Sequence, residues 1–292
     1  MTFGIRTRRL LGALAALAAA LSLGACAPMN STTGPLVLES QGSFFVGGRD
    51  MKSDTLSSMP AYEASGTVTV EQMYVRYQTP PGGAKNYLIV MIHGCCLTGK
   101  TWETTPDGRM GWPVYVINQA SRSRSAANAP PGTAVKMGKA PTDKLPTIFA
   151  AGHEGAWAIF RFGKQYPEVL PGMQFPVEAQ GEFWKQMVPD WLFSLPTPNP
   201  TVPSLSELSI RLNGAILMSH SQSGIYPFQP AALSPRGIAG IVAVEPSVFP
   251  APDGDLKPYL GMPIMVLYGD YVDMFQRWAP RLKLCRAISS RL

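Results

Sequence analysis

The spacing of apolar residues changes part-way along this chain. Residues 36–50 and 66–78 read as β-structure, and the second segment alternates apolar and polar positions. Val68 and Val70 share one face, and Met73, Val75 and Tyr77 resume the alternation after a slip near Gln72 that predicts a bulge. This pattern predicts an antiparallel edge. From Tyr87 onward the apolar positions come in short continuous runs, at 87–92, 114–117, 215–218, 238–244 and 264–268. Strands covered on both faces read this way. Helical patterns fall between some of the runs, so the prediction is a single α/β domain around a mostly parallel sheet. An insert at 126–212 interrupts the alternation. Within it Phe183, Met187 and Trp191 recur every four residues with Trp184 and Val188 beside them, and Trp157, Ile159, Phe160 and Phe162 form a second cluster. These predict helices packed over the sheet. A compatible reading is a cap whose aromatic underside lines an acyl or aryl pocket.

The N-terminus has a different pattern. Arg6, Arg8 and Arg9 precede an apolar run at 10–23, too short to span a bilayer, and the run ends in Leu23-Gly24-Ala25-Cys26. Residues 1–25 read as a bacterial export signal. The small-small-Cys ending resembles the lipobox of bacterial lipoproteins, which makes Cys26 the expected site of lipid attachment and 26–35 a polar tether. The expected location is the cell envelope, lipid-anchored or periplasmic, with the membrane as a partner through Cys26.

Composition supports the globular reading of 36–292. The chain is 46% hydrophobic and 15% charged, too apolar for disorder. Its net charge of +6 falls to about +3 once Arg6, Arg8 and Arg9 are removed, and no basic run interleaved with aromatics remains. Nucleic acid is therefore not an expected partner. Without Cys26, three cysteines are left, Cys95, Cys96 and Cys285, which makes one disulfide and one thiol the simplest arrangement in an envelope compartment.

The candidate chemistry centres on Ser219-His220-Ser221-Gln222-Ser223-Gly224. An apolar strand pattern precedes it and a helix-start pattern follows. A serine with small residues two places before and after it fits the strand–turn–helix nucleophile elbow, with Ser219 and Ser223 in the glycine places. Such a turn is sharp, and a larger side chain at either place would strike a neighbouring element. An acyl-transfer serine also needs oxyanion donors. One is expected from the N–H of Gln222. The other is expected from the loop His93-Gly94-Cys95-Cys96 after the strand at 87–92, with the N–H of Cys95 as donor and His93 shaping the loop. Adjacent cysteines Cys95 and Cys96 could form a vicinal disulfide, although neighbouring Cα atoms lie closer than disulfides normally span. For the acid, Glu245 ends the strand at 238–244, while Asp270 and Asp273 follow the strand at 264–268. All three stand where ligand chemistry sits in open α/β sheets, and position alone does not choose among them.

Here the chain resembles bacterial secreted or envelope carboxylesterases of the α/β-hydrolase superfamily that carry a His-Gly-Cys-Cys loop. The resemblance rests on residues 93–112, 151–154, 187–191, 219–227 and 277–282, and it covers most of 36–285. It implies an α/β-hydrolase fold and ester cleavage through an acyl-enzyme on Ser221. In that family the acid is a Glu about two dozen residues after the Ser, and Glu245 lies 24 residues after Ser221. No metal and no cofactor is implied; the implied partner is a small-molecule ester. The oligomeric state is not legible.

The chain departs from that family in three places. A helix before 113–118 looks deleted. Pro230 falls inside the helix expected after the elbow, where an interior proline costs about 3 kcal/mol. The text ends after 287–292 without the family's His-bearing strand, loop and helix, so the expectation is a C-terminally truncated copy without the triad His. His93, His153 and His220 remain. The rival expectation is therefore a catalytically inactive truncated hydrolase or a lipid-anchored binding protein. The run at 264–268 would then be an exposed apolar edge.

Overall fold

The computed structural model describes residues 36–82, 87–113, 125–129, 147–190, 192–251 and 253–289, all within one compact unit, Pro35–Leu292. The signal, the tether, Cys26 and the strand expected at 114–117 lie outside the described residues. The strands are β1 (Ser40–Ser53), β2 (Gly66–Thr79), β3 (Leu88–Ile92), β4 (Ser125–Ala129), β5 (Ala215–His220), β6 (Ile238–Val244) and β7 (Ile264–Leu267). The helices are α1 (His153–Ile159), α2 (Gln180–Lys185), α3 (Thr201–Arg211), α4 (Phe228–Leu233) and α5 (Ala279–Ser289).

One sheet joins all seven strands in the order β1-β2-β4-β3-β5-β6-β7. The β1–β2 and β2–β4 pairs are antiparallel, and β4, β3, β5, β6 and β7 run parallel. The predicted mostly parallel sheet with an antiparallel N-terminal edge is what forms. The slip near Gln72 has a different cause from the bulge predicted for it. The pairing register is the same on both sides, Gly47 with Gln72 and Arg49 with Val70. Instead both strands kink at one level, where Gly47, Gly48 and Glu71 take positive φ. The inward face changes parity in both strands together, so no residue is left over.

Continuous apolar runs are buried on both faces because helices and loops cover both. On one face α3 places Leu205 and Leu208, α4 places Phe228 and Ala231, and α5 places Cys285 and Ile288 in the main core with Val90, Leu217 and Ile241. A smaller cluster of Met91, Trp102 and Met218 packs with Ile89, Val242 and Val244. At the end of the sheet order, β7 pairs only with β6 among the described residues, and Met265 is 56% exposed.

The insert is shorter than expected at both ends. Its expected first residues fall in β4, which pairs with β2 and β3, and its last ones form α3, which packs into the main core. Between them an aromatic cluster of Leu97, Trp157, Phe162 and Phe183 makes a separate core, with Phe162 stacked on Phe175 at 4.2 Å. Leu97 ties this cluster to the loop after β3. The helical pattern through 183–191 stops at Lys185, because the backbone then turns extended before Pro189: Val188 N–H donates to Cys96 O (2.9 Å) and Asp190 pairs with Phe149. Pro230 costs less than expected, because a 3₁₀ turn at Ser221–Ile225 precedes α4 and Pro230 sits in the first turn of α4, where no intrahelical N–H is needed.

Among the described residues no helix is long and apolar enough to cross a membrane, and no group of His, Cys, Asp and Glu could hold a metal ion. Leu217 is fully buried in the centre of the sheet. Leu217→Ala is expected to lower unfolding stability by about 2–5 kcal/mol in denaturant titration, through lost burial and an unfilled cavity.

Candidate active site

Ser221 stands where β5 stops, with φ +56°. A left-handed conformation costs a non-glycine residue roughly 1–2 kcal/mol, so neighbours must enforce it. Three contacts do so. Ser223 is buried, accepts from His220 N–H (3.1 Å), and points its single O–H between Ile92 O (3.0 Å) and His220 O (2.9 Å). Ser223 therefore fastens the turn to the end of β3, a role that a glycine could not fill. Gly224 backs onto Pro246, where an added Cβ would meet Pro246 Cβ at 2.5 Å. Ser247 N–H donates to Ser221 O at 2.9 Å, which ties the turn to the residues after β6.

The loop after β3 reaches this turn because Gly94 has no side chain. A Cβ there would stand 2.7 Å from His220 O and 3.0 Å from Ser221 Cβ. Cys95 and Cys96, which follow it, are joined by a disulfide, and Cys96 is buried with φ +64°. Gln222, next to Ser221, is held by its side chain, whose Nε2 donates to Asp190 Oδ2 at 2.5 Å. Cys285 is buried on α5, in the main core.

Of the three candidate acids, Glu245 alone is drawn inward. Asp270 and Asp273 are exposed. Glu245 takes φ +51° at the end of β6, and its Oε1 accepts from Arg161 Nη2 (2.6 Å) and from Gly269 N–H (2.5 Å). Arg161 Nη1 stands 2.6 Å from Oε2 as an ion-pair contact, while Oε2 is buried and accepts no hydrogen bond among the described residues. The two side chains are 12% and 16% exposed.

A search of family models gives no match. The chain is 30% identical over 199 residues to the protein named "Probable secreted lipase phiG" of Fungal sp. (strain ATCC 74256), a match that covers 65% of this chain and 52% of that protein. The chain thus spans about half the length of this curated relative. It is 58% identical to a solved structure described as a novel bacterial esterase, with a TM-score of 0.80, covering 88% of this chain and 83% of that one. The chain belongs to the α/β-hydrolase superfamily.

In an α/β-hydrolase the histidines need individual placement. His93 is buried, and its Nδ1 lies 2.9 Å from Gly94 O. Burial pushes its pKa down to about 4, against a smaller upward pull from that hydrogen bond. His220 packs edge-on to Trp102 at 6.4 Å. Burial lowers it to about 4 as well, with the charge of Glu245 opposing and that of Arg161 assisting. His153 is exposed and stacks on Trp184 at 4.5 Å.

Sequence reasoning missed Arg161 as the partner of Glu245, Asp190 as the anchor of Gln222, and the bonding of Ser223. Only Arg161 left a signal, as a lone cation within the aromatic run 157–162.

Removing Arg161 strands a buried carboxylate. Arg161→Ala is expected to cost roughly 3–5 kcal/mol in chemical denaturation, and Arg161→Lys less. His93 sets a pH dependence. The folded imidazole stays neutral down to about 4, whereas its ordinary pKa is 6.5. Between these values the unfolded chain binds the additional proton, so stability falls as pH falls. His93→Asn is expected to lessen the slope of that part of a Tm-versus-pH profile, with the share from His220 remaining.

Proposed function

We propose that this chain is a serine hydrolase that cleaves carboxylic esters through an acyl-enzyme. The observation that carries the reading is Ser221 at φ +56° at the end of β5, against the glycine loop after β3. Ser221 Oγ attacks the ester carbonyl and the alcohol leaves with a proton. Water then attacks the acyl-serine and releases the acid. The N–H groups of Cys95 and Gln222 hold the oxyanion, a type of contact whose loss typically costs about 10²–10³ in rate. The Cys95–Cys96 bond fixes the loop that carries one of them. Glu245 takes the place of the triad acid, and its inward position at the end of β6, with Arg161 as counter-ion, supports this role. The esterase and lipase names of the relatives support the substrate class. Export to the cell envelope, with Cys26 lipidated and the membrane reached through it, belongs to the same reading and agrees with a relative named as secreted.

A second reading rests on the three imidazoles. His93, His153 and His220 are held by Gly94, Trp184 and Trp102, and none bonds to Ser221 among the described residues. A chain without a working base would be an inactive hydrolase or a binding protein that keeps the pocket. Loss of one triad member still leaves about 10³–10⁴-fold acceleration over water. A short-chain p-nitrophenyl ester separates the readings. The expected result is a stoichiometric burst of p-nitrophenol that Ser221→Ala abolishes. Equal rates in both proteins, close to buffer, would overturn the hydrolase reading in favour of the binding one.

A further inference from the structure

Positive charge gathers beside the candidate site around one tryptophan. The guanidinium carbons of Arg281, Arg161 and Arg277 lie 4.9, 5.8 and 5.9 Å from the centre of the Trp278 ring. Such stacking attracts each cation to the ring face but removes none of their mutual repulsion. Arg161 has Glu245 as counter-ion. Among the described residues, Arg277 and Arg281 stand within ion-pair distance of no carboxylate. The cluster therefore holds three cations against one anion.

Donors are in surplus as well. Trp278 is 4% exposed, and its Nε1–H is buried with no acceptor among the described residues; so is the Nε–H of Arg161. A buried donor left unsatisfied costs about 1–3 kcal/mol. The cluster is also wired to the elbow. Ser247 donates from N–H to Ser221 O (2.9 Å) and accepts at its own O from Arg281 Nε (2.7 Å). Arg277 is exposed and Arg281 half-buried, so a solute can reach them.

We propose that Arg277, Arg281 and Trp278 form an anion subsite beside Ser221 that receives a carboxylate or phosphate group carried by the substrate. Planar guanidinium forks suit such oxyanions, and a carboxylate or phosphate is acceptor-only, the complement of what the cluster offers. The pKa of Arg281 lies below its usual value, first through burial and then through the charge of Arg277, and a bound anion opposes the second of these effects. As a substrate class this rests on the ester-hydrolase reading: the favoured esters carry a second, anionic group, as in a hemiester of a dicarboxylic acid.

The test keeps the two readings apart. Thermal shift is measured with succinate and with inorganic phosphate, each against sodium chloride at matched ionic strength. A rise of a few degrees over chloride at saturating anion is expected. Arg277→Gln and Arg281→Gln are expected to lose it, while Lys283→Gln, an exposed change on the helix that carries Arg281, keeps it. A rise with succinate alone or with phosphate alone identifies which group the subsite takes. No rise over chloride in the wild-type chain, or a rise that persists in both arginine variants, overturns the subsite. The kinetic arm compares kcat/KM for p-nitrophenyl hemisuccinate and p-nitrophenyl butyrate, whose ratio is expected to fall about tenfold in Arg277→Gln. An unchanged ratio overturns the substrate-class part. If neither ester is cleaved but the anion shift and its loss in the variants remain, the hydrolase reading fails and the anion subsite stands.

Discussion

The site depends on how closely three backbone segments crowd at the end of β5. The chain must leave the sheet at His220, reverse through a left-handed Ser221 and pass under Pro246, while the loop after β3 comes within contact of the same turn. No side chain fits at Gly94, and none fits at Gly224. The strained φ at Ser221 persists because relaxing it would break the bonds of Ser223 to β3 and of Ser247 to Ser221 O. Ser223 answers why a serine can stand in a glycine place. The space admits one small side chain, and its hydroxyl supplies hydrogen bonds that a buried turn would otherwise lack.

The same crowding brings charge into a dry region. Glu245 ends its strand in a left-handed conformation, as Ser221 does, so two adjacent parallel strands finish with the same backbone reversal. A carboxylate brought inward this way needs a counter-charge. Arg161 supplies it from the insert, where Phe160 and Phe162 on either side belong to the aromatic core. The aromatic packing of the insert therefore does more than build a separate core. It aims one guanidinium at the end of β6.

Features governed by local patterning were legible in the sequence. The runs at 87–92, 215–218, 238–244 and 264–268 each contain or overlap a strand, because burial on both faces demands continuous apolar residues. Position β4 was not legible. Ser125-Ala126-Ala127-Asn128-Ala129 has neither alternation nor an apolar run, and its pairing comes from neighbours on both sides. The helix expected through 183–191 ended early because Val188 and Asp190 found backbone partners on other segments. Glu245 could be narrowed to one of three carboxylates only by resemblance. The structure separates it from the exposed Asp270 and Asp273 by its contact with Arg161, an interaction across 84 residues that no periodicity announces.

Coupling follows from that long-range contact. Arg161 reaches the proposed acid Glu245 from one side and the face of Trp278 from another, and Trp278 in turn carries Arg277 and Arg281. A shift of the insert would move the counter-ion of Glu245 and redistribute positive charge around Trp278 together. Coulombic terms inside a partly buried cluster fall off slowly, since little water or salt screens them. The guanidinium that faces Glu245 is thus positioned by the packing of aromatic side chains in the insert. The insert reaches the site through two side chains, Arg161 at Glu245 and Asp190 at Gln222.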